Sequence, residues 1–141
     1  MKAERIDHIA IFVKDLDKAI KFFSELLGTQ FPEPWETKAF DIRETVGPLP
    51  FPLDLCTPLT PDGEGARIMA HRGEGVTMIS FKVPSLEEAV AEMKSRGIRM
   101  LLREPFGDAE YAVFHPQDTF GVMIELIEYK EKHPTVSAIG K

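Results

Sequence analysis

The chain has 141 residues, 43% of them hydrophobic, which is enough for one well-buried domain and too short for two ordinary ones. With 17 basic side chains against 23 acidic ones the net charge is −6, which argues against non-specific nucleic-acid binding and against an anionic membrane surface. The single cysteine, Cys56, excludes an internal disulfide and suits a reducing compartment. No apolar run is long enough for a signal peptide or a membrane span, so a soluble cytoplasmic protein is expected.

Residues 6–13, IDHIAIFV, are apolar on both alternating faces, as expected of a strand covered on both sides. The odd face (Ile9, Ile11, Val13) is uniformly branched and is assigned to the helix that follows. That helix begins behind Asp15 as N-cap and stops at Gly28. Leu16, Ala19, Ile20, Phe23, Leu26 and Leu27 form its single apolar stripe. From Thr29 to Pro50 the pattern weakens. Phe31–Trp35 is interrupted by prolines and cannot be a central strand, and Trp35 reads as a packing residue. Thr37–Arg43 alternates well enough for a strand, Gly47 and Pro48 make a turn, and Phe51–Cys56 reads as a further strand. Its alternation puts Leu53 and Leu55 on one face and Asp54 and Cys56 on the other, with Cys56 expected to be a buried, inert thiol.

Pro58–Gly75 is a Pro- and Gly-rich connection with a short helix over Ala66–His71. Beyond it the opening pattern recurs 70 residues on. Val76–Val83 falls on the first strand, and a Ser85/Glu88 capping box starts a helix with Leu86, Ala89, Val90 and Met93 at matching offsets, closed by Gly97. Strands then follow at Ile98–Leu102, Tyr111–Phe114 and Gly121–Glu128, with a turn at His115–Thr119. Each half therefore reads β-α-β-β-β. The class is α+β, two βαβββ modules (about 5–58 and 75–129) forming an eight-stranded curved sheet with helices on one side and a cleft on the other. They make a single domain over 1–130, and the polar segment 131–141 is expected to be a mobile tail.

The repeat also aligns Leu53-Asp54-Leu55 with Ile124-Glu125-Leu126, each an acid between apolar residues. A carboxylate so placed needs a reason, since an unpaired buried charge is costly. The pseudo-symmetry directs His8 and Asp54 from one half, and Met78 and Glu125 from the other, to the cleft. One imidazole and two carboxylates could ligate a divalent cation. The competing reading is a satisfied core histidine with solvated carboxylates. Met78, the repeat partner of His8, is a soft, weak ligand for Mg, Mn, Co or Zn. His71 stands before the second copy of the strand without a clear role.

Paired βαβββ modules opening with DHIAIFVKDLDKAIKFF resemble the vicinal oxygen chelate superfamily, the glyoxalase/bleomycin-resistance/dioxygenase fold. IDHIAIFVKDL, PLTPDGEGARIMAHRGEGV and FHPQDTFGVMIELIE are most similar to the methylmalonyl-CoA epimerases, over roughly residues 5–129. The resemblance implies that His8 is the first metal histidine and Glu125 the final glutamate ligand, also catalytic. It puts Asp54 where these epimerases carry glutamine or glutamate, and Met78 in the slot of their second histidine. It implies a divalent metal (Co, Mn, Zn, Ni or Mg) and a homodimer. The substrate it implies is a small carboxylated or acyl-CoA compound epimerised through a metal-stabilised enolate. The general base falls among Glu36, Asp41 and Glu44. The alternative is a metal-free small-molecule binding protein of the bleomycin-resistance type.

Overall fold

The protein is described by a computed structural model covering residues 1–130. The expected tail, 131–141, lies outside the described residues. The first module runs β1 (Arg5–Phe12), α1 (Leu16–Leu27), β2 (Trp35–Thr37), β3 (Ile42–Val46) and β4 (Leu53–Pro58). After α2 (Glu64–Arg72), the second runs β5 (Gly75–Lys82), α3 (Leu86–Ser95), β6 (Met100–Phe106), β7 (Ala109–Phe114) and β8 (Met123–Glu128). A 3-10 turn at Pro116–Asp118 precedes β8. The architecture is α+β, and the order β2-β3-β4-β1-β5-β8-β7-β6 places the two modules' strands as mirror sequences. Both β1–β4 and β5–β8 are parallel pairs, while the outer pairs are antiparallel. Among the described residues no helix is long and apolar enough to cross a membrane.

The offset of 70 holds at the level of single residues: β1 and β5 start at 5 and 75, and their helices at 16 and 86. Asp15 and Ser85 each cap a helix, accepting from Lys18 N at 3.1 Å and Glu88 N at 3.2 Å. Gly28 and Gly97 follow the helices with φ 64° and 75°, the left-handed conformation that glycine adopts at no steric cost.

Two compact units make up the chain: Ile9–Thr77, and Met1–His8 with the chain from Met78 onward. In the first, Ile11, Val13, Leu53 and Leu55 pack with Leu16, Ala19, Ile20, Phe23 and Phe31. The branched odd face of β1 thus meets α1, as its sequence pattern predicts. In the second, Phe81, Val83, Ile124 and Leu126 pack with Leu86, Ala89, Val90 and Met93 of α3 and with Ala112 and Phe114 of β7. The unit boundary cuts β1 and β5 rather than falling between the modules. Glu4 N donates to Lys82 O at 2.8 Å in one unit, and Thr77 Oγ1 lies 3.5 Å from Ala10 O in the other.

The weakly patterned segment departs from expectation. Thr37–Arg43 is not one strand; β2 ends at Thr37, the chain turns over 38–41 and β3 starts at Ile42. The turn is enforced by Asp41 (φ 53°), whose carboxylate accepts from Thr60 N at 3.2 Å, and by Gly65 N donating to Phe40 O at 2.7 Å. A Cβ on Gly65 would stand 2.6 Å from Ile42 Cγ2, so α2 seats on this turn only with glycine there. The proline-rich stretch does lead into an edge strand, β2.

Candidate functional site

His8 sits on β1, 7% exposed, with a carboxylate on either side of its ring. Nδ1 lies 2.7 Å from Oδ2 of the fully buried Asp7. An ionised carboxylate only accepts, so Nδ1 carries the proton and donates. Nε2 lies 3.3 Å from Glu125 Oε1, and that oxygen also accepts from Ser80 Oγ at 2.6 Å. Asp7 is itself held: the Tyr129 hydroxyl donates to Oδ1, and Arg5 Nη2 donates to the Tyr129 hydroxyl at 2.6 Å while standing 3.5 Å from Asp7 Oδ1. Burial first, then the hydrogen bond to Asp7, push the Tyr129 phenol well above its ordinary range. It therefore stays a neutral donor through the physiological range.

This arrangement orients an imidazole for metal binding or proton chemistry. A carboxylate on one ring nitrogen fixes the tautomer and aims the other. The nitrogen so aimed is Nε2, and it faces Glu125. A bare lone pair against a carboxylate oxygen at 3.3 Å is repulsive, so the pair calls for a positive centre, either a proton or a cation. His8 and Glu125 were both expected from the sequence, and the structure brings them together. Asp7, Ser80 and Tyr129 were not expected. Asp7 was visible only as a charge inside a buried strand, and Ser80 as the one hydroxyl facing Glu125 in register.

The other expected residues lie as follows. Met78 is buried on β5 and pairs in register with Met123, in the unit that holds His8 and Glu125. Asp54 belongs to the other unit, where its ligand oxygen, a Glu44 oxygen and Cys56 Sγ all lie within 4.8 Å of one another, all three residues buried. Such a group of two carboxylates and a thiol could hold a cation. Cys56 Sγ lies 3.3 Å from Asp54 Oδ1, and Thr37 Oγ1 donates to Glu44. Among the three base candidates, Glu36 is exposed and Asp41 holds the turn before β3. Glu44, 7% exposed, is the one beside Asp54. Register confirms the equivalence of the two acids: Ala10 faces Asp54 as Ser80, 70 residues later, faces Glu125.

The model of the Glyoxalase/Bleomycin resistance protein/Dioxygenase superfamily matches residues 5–126. The human mitochondrial methylmalonyl-CoA epimerase is 30% identical over 132 residues, spanning 86% of this chain and 72% of that protein. Among solved structures, a variant of Streptomyces coelicolor methylmalonyl-CoA epimerase in complex with 2-nitronate-propionyl-CoA aligns with TM-score 0.80 and 26% identity, over 92% of this chain and all of that one. The Mycobacterium tuberculosis methylmalonyl-CoA epimerase aligns with TM-score 0.81 and 27% identity, over 92% and 90%. Fold, register and matched length together place this chain in the Glyoxalase/Bleomycin resistance protein/Dioxygenase superfamily.

Proposed function

We propose that this protein is a methylmalonyl-CoA epimerase-like enzyme that removes and returns the α-proton of a carboxylated acyl-CoA thioester. The observation that carries the reading is the buried His8–Glu125 pair, 3.3 Å apart, with His8 oriented by Asp7. The relatives named above, one of them bound to a nitronate analogue of a propionyl-CoA, support the substrate class.

The donors fit a divalent cation. His8 Nε2 and Glu125 Oε1 face each other at 3.3 Å, an imidazole nitrogen and a carboxylate oxygen of the kind a divalent cation would take. His8 and Glu125 are the proposed ligands. Met78 contributes no hard donor. When bound, the metal supplies Lewis-acid stabilisation of the enolate oxygen.

The proton steps fall to the chain itself. Inversion takes a proton from one face of the α-carbon and returns one to the other. Glu44 is the proposed base, because it is the buried member of the three candidates. Glu125 is the proposed second carboxylate, with the Ser80 hydroxyl holding its Oε1. Asp7 and Tyr129 keep His8 from turning, so Nε2 stays on Glu125. Cys56, held in no disulfide, suits a cytoplasmic, reducing setting. Ile6 and Val76, repeat partners that both stay exposed, support assembly as a homodimer. Light scattering that finds a monomer at micromolar concentration would refute the assembly.

The deciding experiment follows deuterium entry at the α-carbon of methylmalonyl-CoA in D2O, with and without Co2+ or Mn2+. The wild type exchanges, and Glu44→Gln slows exchange by on the order of 10²-fold or more. A wild type that binds the ester without exchanging it would instead establish the sequestering protein that Met78 favours.

A further inference from the structure

Two of the chain's six methionines stand side by side on the face of the sheet that carries Glu125. In the parallel ladder of β5 and β8, Met78 pairs with Met123 and Ser80 pairs with Glu125. Side chains two residues apart on a strand share a face, so the two methionines lie on the side where the Ser80 hydroxyl meets Glu125. The other side is taken by Phe81, Ile124 and Leu126, which pack with α3. β1 is the next neighbour of β5. Glu4 N donates to the carbonyl of Lys82, the last residue of β5, so β1 runs back along β5. Counting two residues at a time from that bond sets His8 opposite Met78. The row His8–Met78–Met123 lies within one compact unit, and its members keep 7%, 8% and 9% of their surface, so none is sealed from a small ion.

A methionine in a core ordinarily fills a gap between apolar neighbours. Met93 does so, among the side chains that join α3 to the sheet. Met78 and Met123 instead share their row with an imidazole whose free nitrogen is aimed: Asp7 holds the proton on Nδ1 and leaves the lone pair on Nε2. Thioether sulfur is a soft donor that selects Cu(I), while carboxylate and water suit Mg and Mn. We propose that His8, Met78 and Met123 form a site for a soft monovalent cation of the Cu(I) class. Its donors are Nε2 and the two Sδ atoms, and Glu125, 3.3 Å from Nε2, is the counter-charge. The divalent reading above uses the nitrogen and the carboxylate alone. The two sulfurs add a preference between ions, and that preference stands whether or not the acyl-CoA reaction does.

Protein labelled with methyl-13C methionine reads the sulfurs directly. Ag(I), a soft monovalent ion stable in air, is added to two equivalents, so that the thiol of Cys56 cannot take all of it. The methyl signals of Met78 and Met123, assigned by Met78→Leu and Met123→Leu, move, while those of the exposed Met1 and Met100 stay in place. In competition with bicinchoninate, Met78→Leu weakens Cu(I) binding on the order of 10-fold or more and leaves Co2+ binding within about 2-fold. Unmoved Met78 and Met123 signals overturn the site, and so does a shift shared equally by Met1 and Met100. An equal loss of Cu(I) and Co2+ in Met78→Leu also overturns it, because Met78 then supports the packing around His8 and donates nothing. Should a variant fail to fold, the wild-type titration decides, by whether two of the six methyl signals move together. Failure of any arm leaves the acyl-CoA reaction to its own deuterium-exchange test.

Discussion

The two modules share a backbone and differ in chemistry. Strand starts, helix starts and caps coincide at one offset, yet His8 answers to Met78, Ala10 to Ser80, and Cys56 to Ile127 at the positions facing away from the helices. Only the acid is kept, as Asp54 and Glu125, and each obtains its neighbour differently. Glu125 takes a hydroxyl from the adjacent strand, whereas Asp54 has a thiol two residues along its own. Positions that pack on a helix are constrained by volume and stay apolar in both copies. Positions on the other face are constrained by what they bind, and there one copy can specialise while the other drifts.

The contrast can be broken most severely by His8→Ala, which leaves neither β1 nor β5 with an imidazole. Retention of Co2+ or Mn2+ after gel filtration should fall at least about 100-fold, and undiminished retention would remove His8 from the metal assignment. The opposite change, Met78→His, restores symmetry and should tighten Co2+ binding by about 10-fold or more, read by calorimetry. An unchanged Kd would show that position 78 is no ligand slot.

Stability offers a finer comparison. Ser80→Ala strips a buried carboxylate of a strong donor and should cost about 1–3 kcal/mol in urea unfolding. Cys56→Ala removes only a weak S–H donor beside Asp54 and should cost less. Equal costs would mean that the two acids are supported elsewhere.

The smallest effect concerns turns. The second module's 3-10 turn carries Asp118, which accepts from the guanidinium and the backbone N–H of Arg99, just before β6, and these bonds hold its carboxyl at about 2. A depressed value means that the contribution to stability is fully present above the ordinary carboxylate range and is lost as pH falls toward 2. Carbon-detected NMR titration should find Asp118 protonating well below the ordinary aspartate range, and Arg99→Ala should return it toward about 3.9.

Much of the frame was legible because helix caps, stripes and stops are local and were repeated. His8 and Glu125 were found because the repeat put a polar residue where its neighbours were apolar. The segment from 29 to 50 was not legible for a physical reason: Phe40 and Ile42 mimic strand alternation, while a left-handed Asp41 and the seat of Gly65 on the turn break it. Neither contact is local. Asp7 was missed on the same grounds, its hydroxyl partner Tyr129 lying 122 residues away.

That last separation has a consequence for how the protein comes to be made. Residues 4–8 find their partners at Lys82, Glu125 and Tyr129, so β1 is completed by residues synthesised as many as 122 positions after it. A nascent chain can close the α1 core as soon as Leu55 has emerged, but it carries His8 without its acidic neighbour on Nε2 until β8 arrives. Contacts between such distant residues are slow to form because a long loop must close first. Chemical competence is therefore a late event on the ribosome. A chain interrupted before Glu125 lacks the carboxylate that faces His8 Nε2.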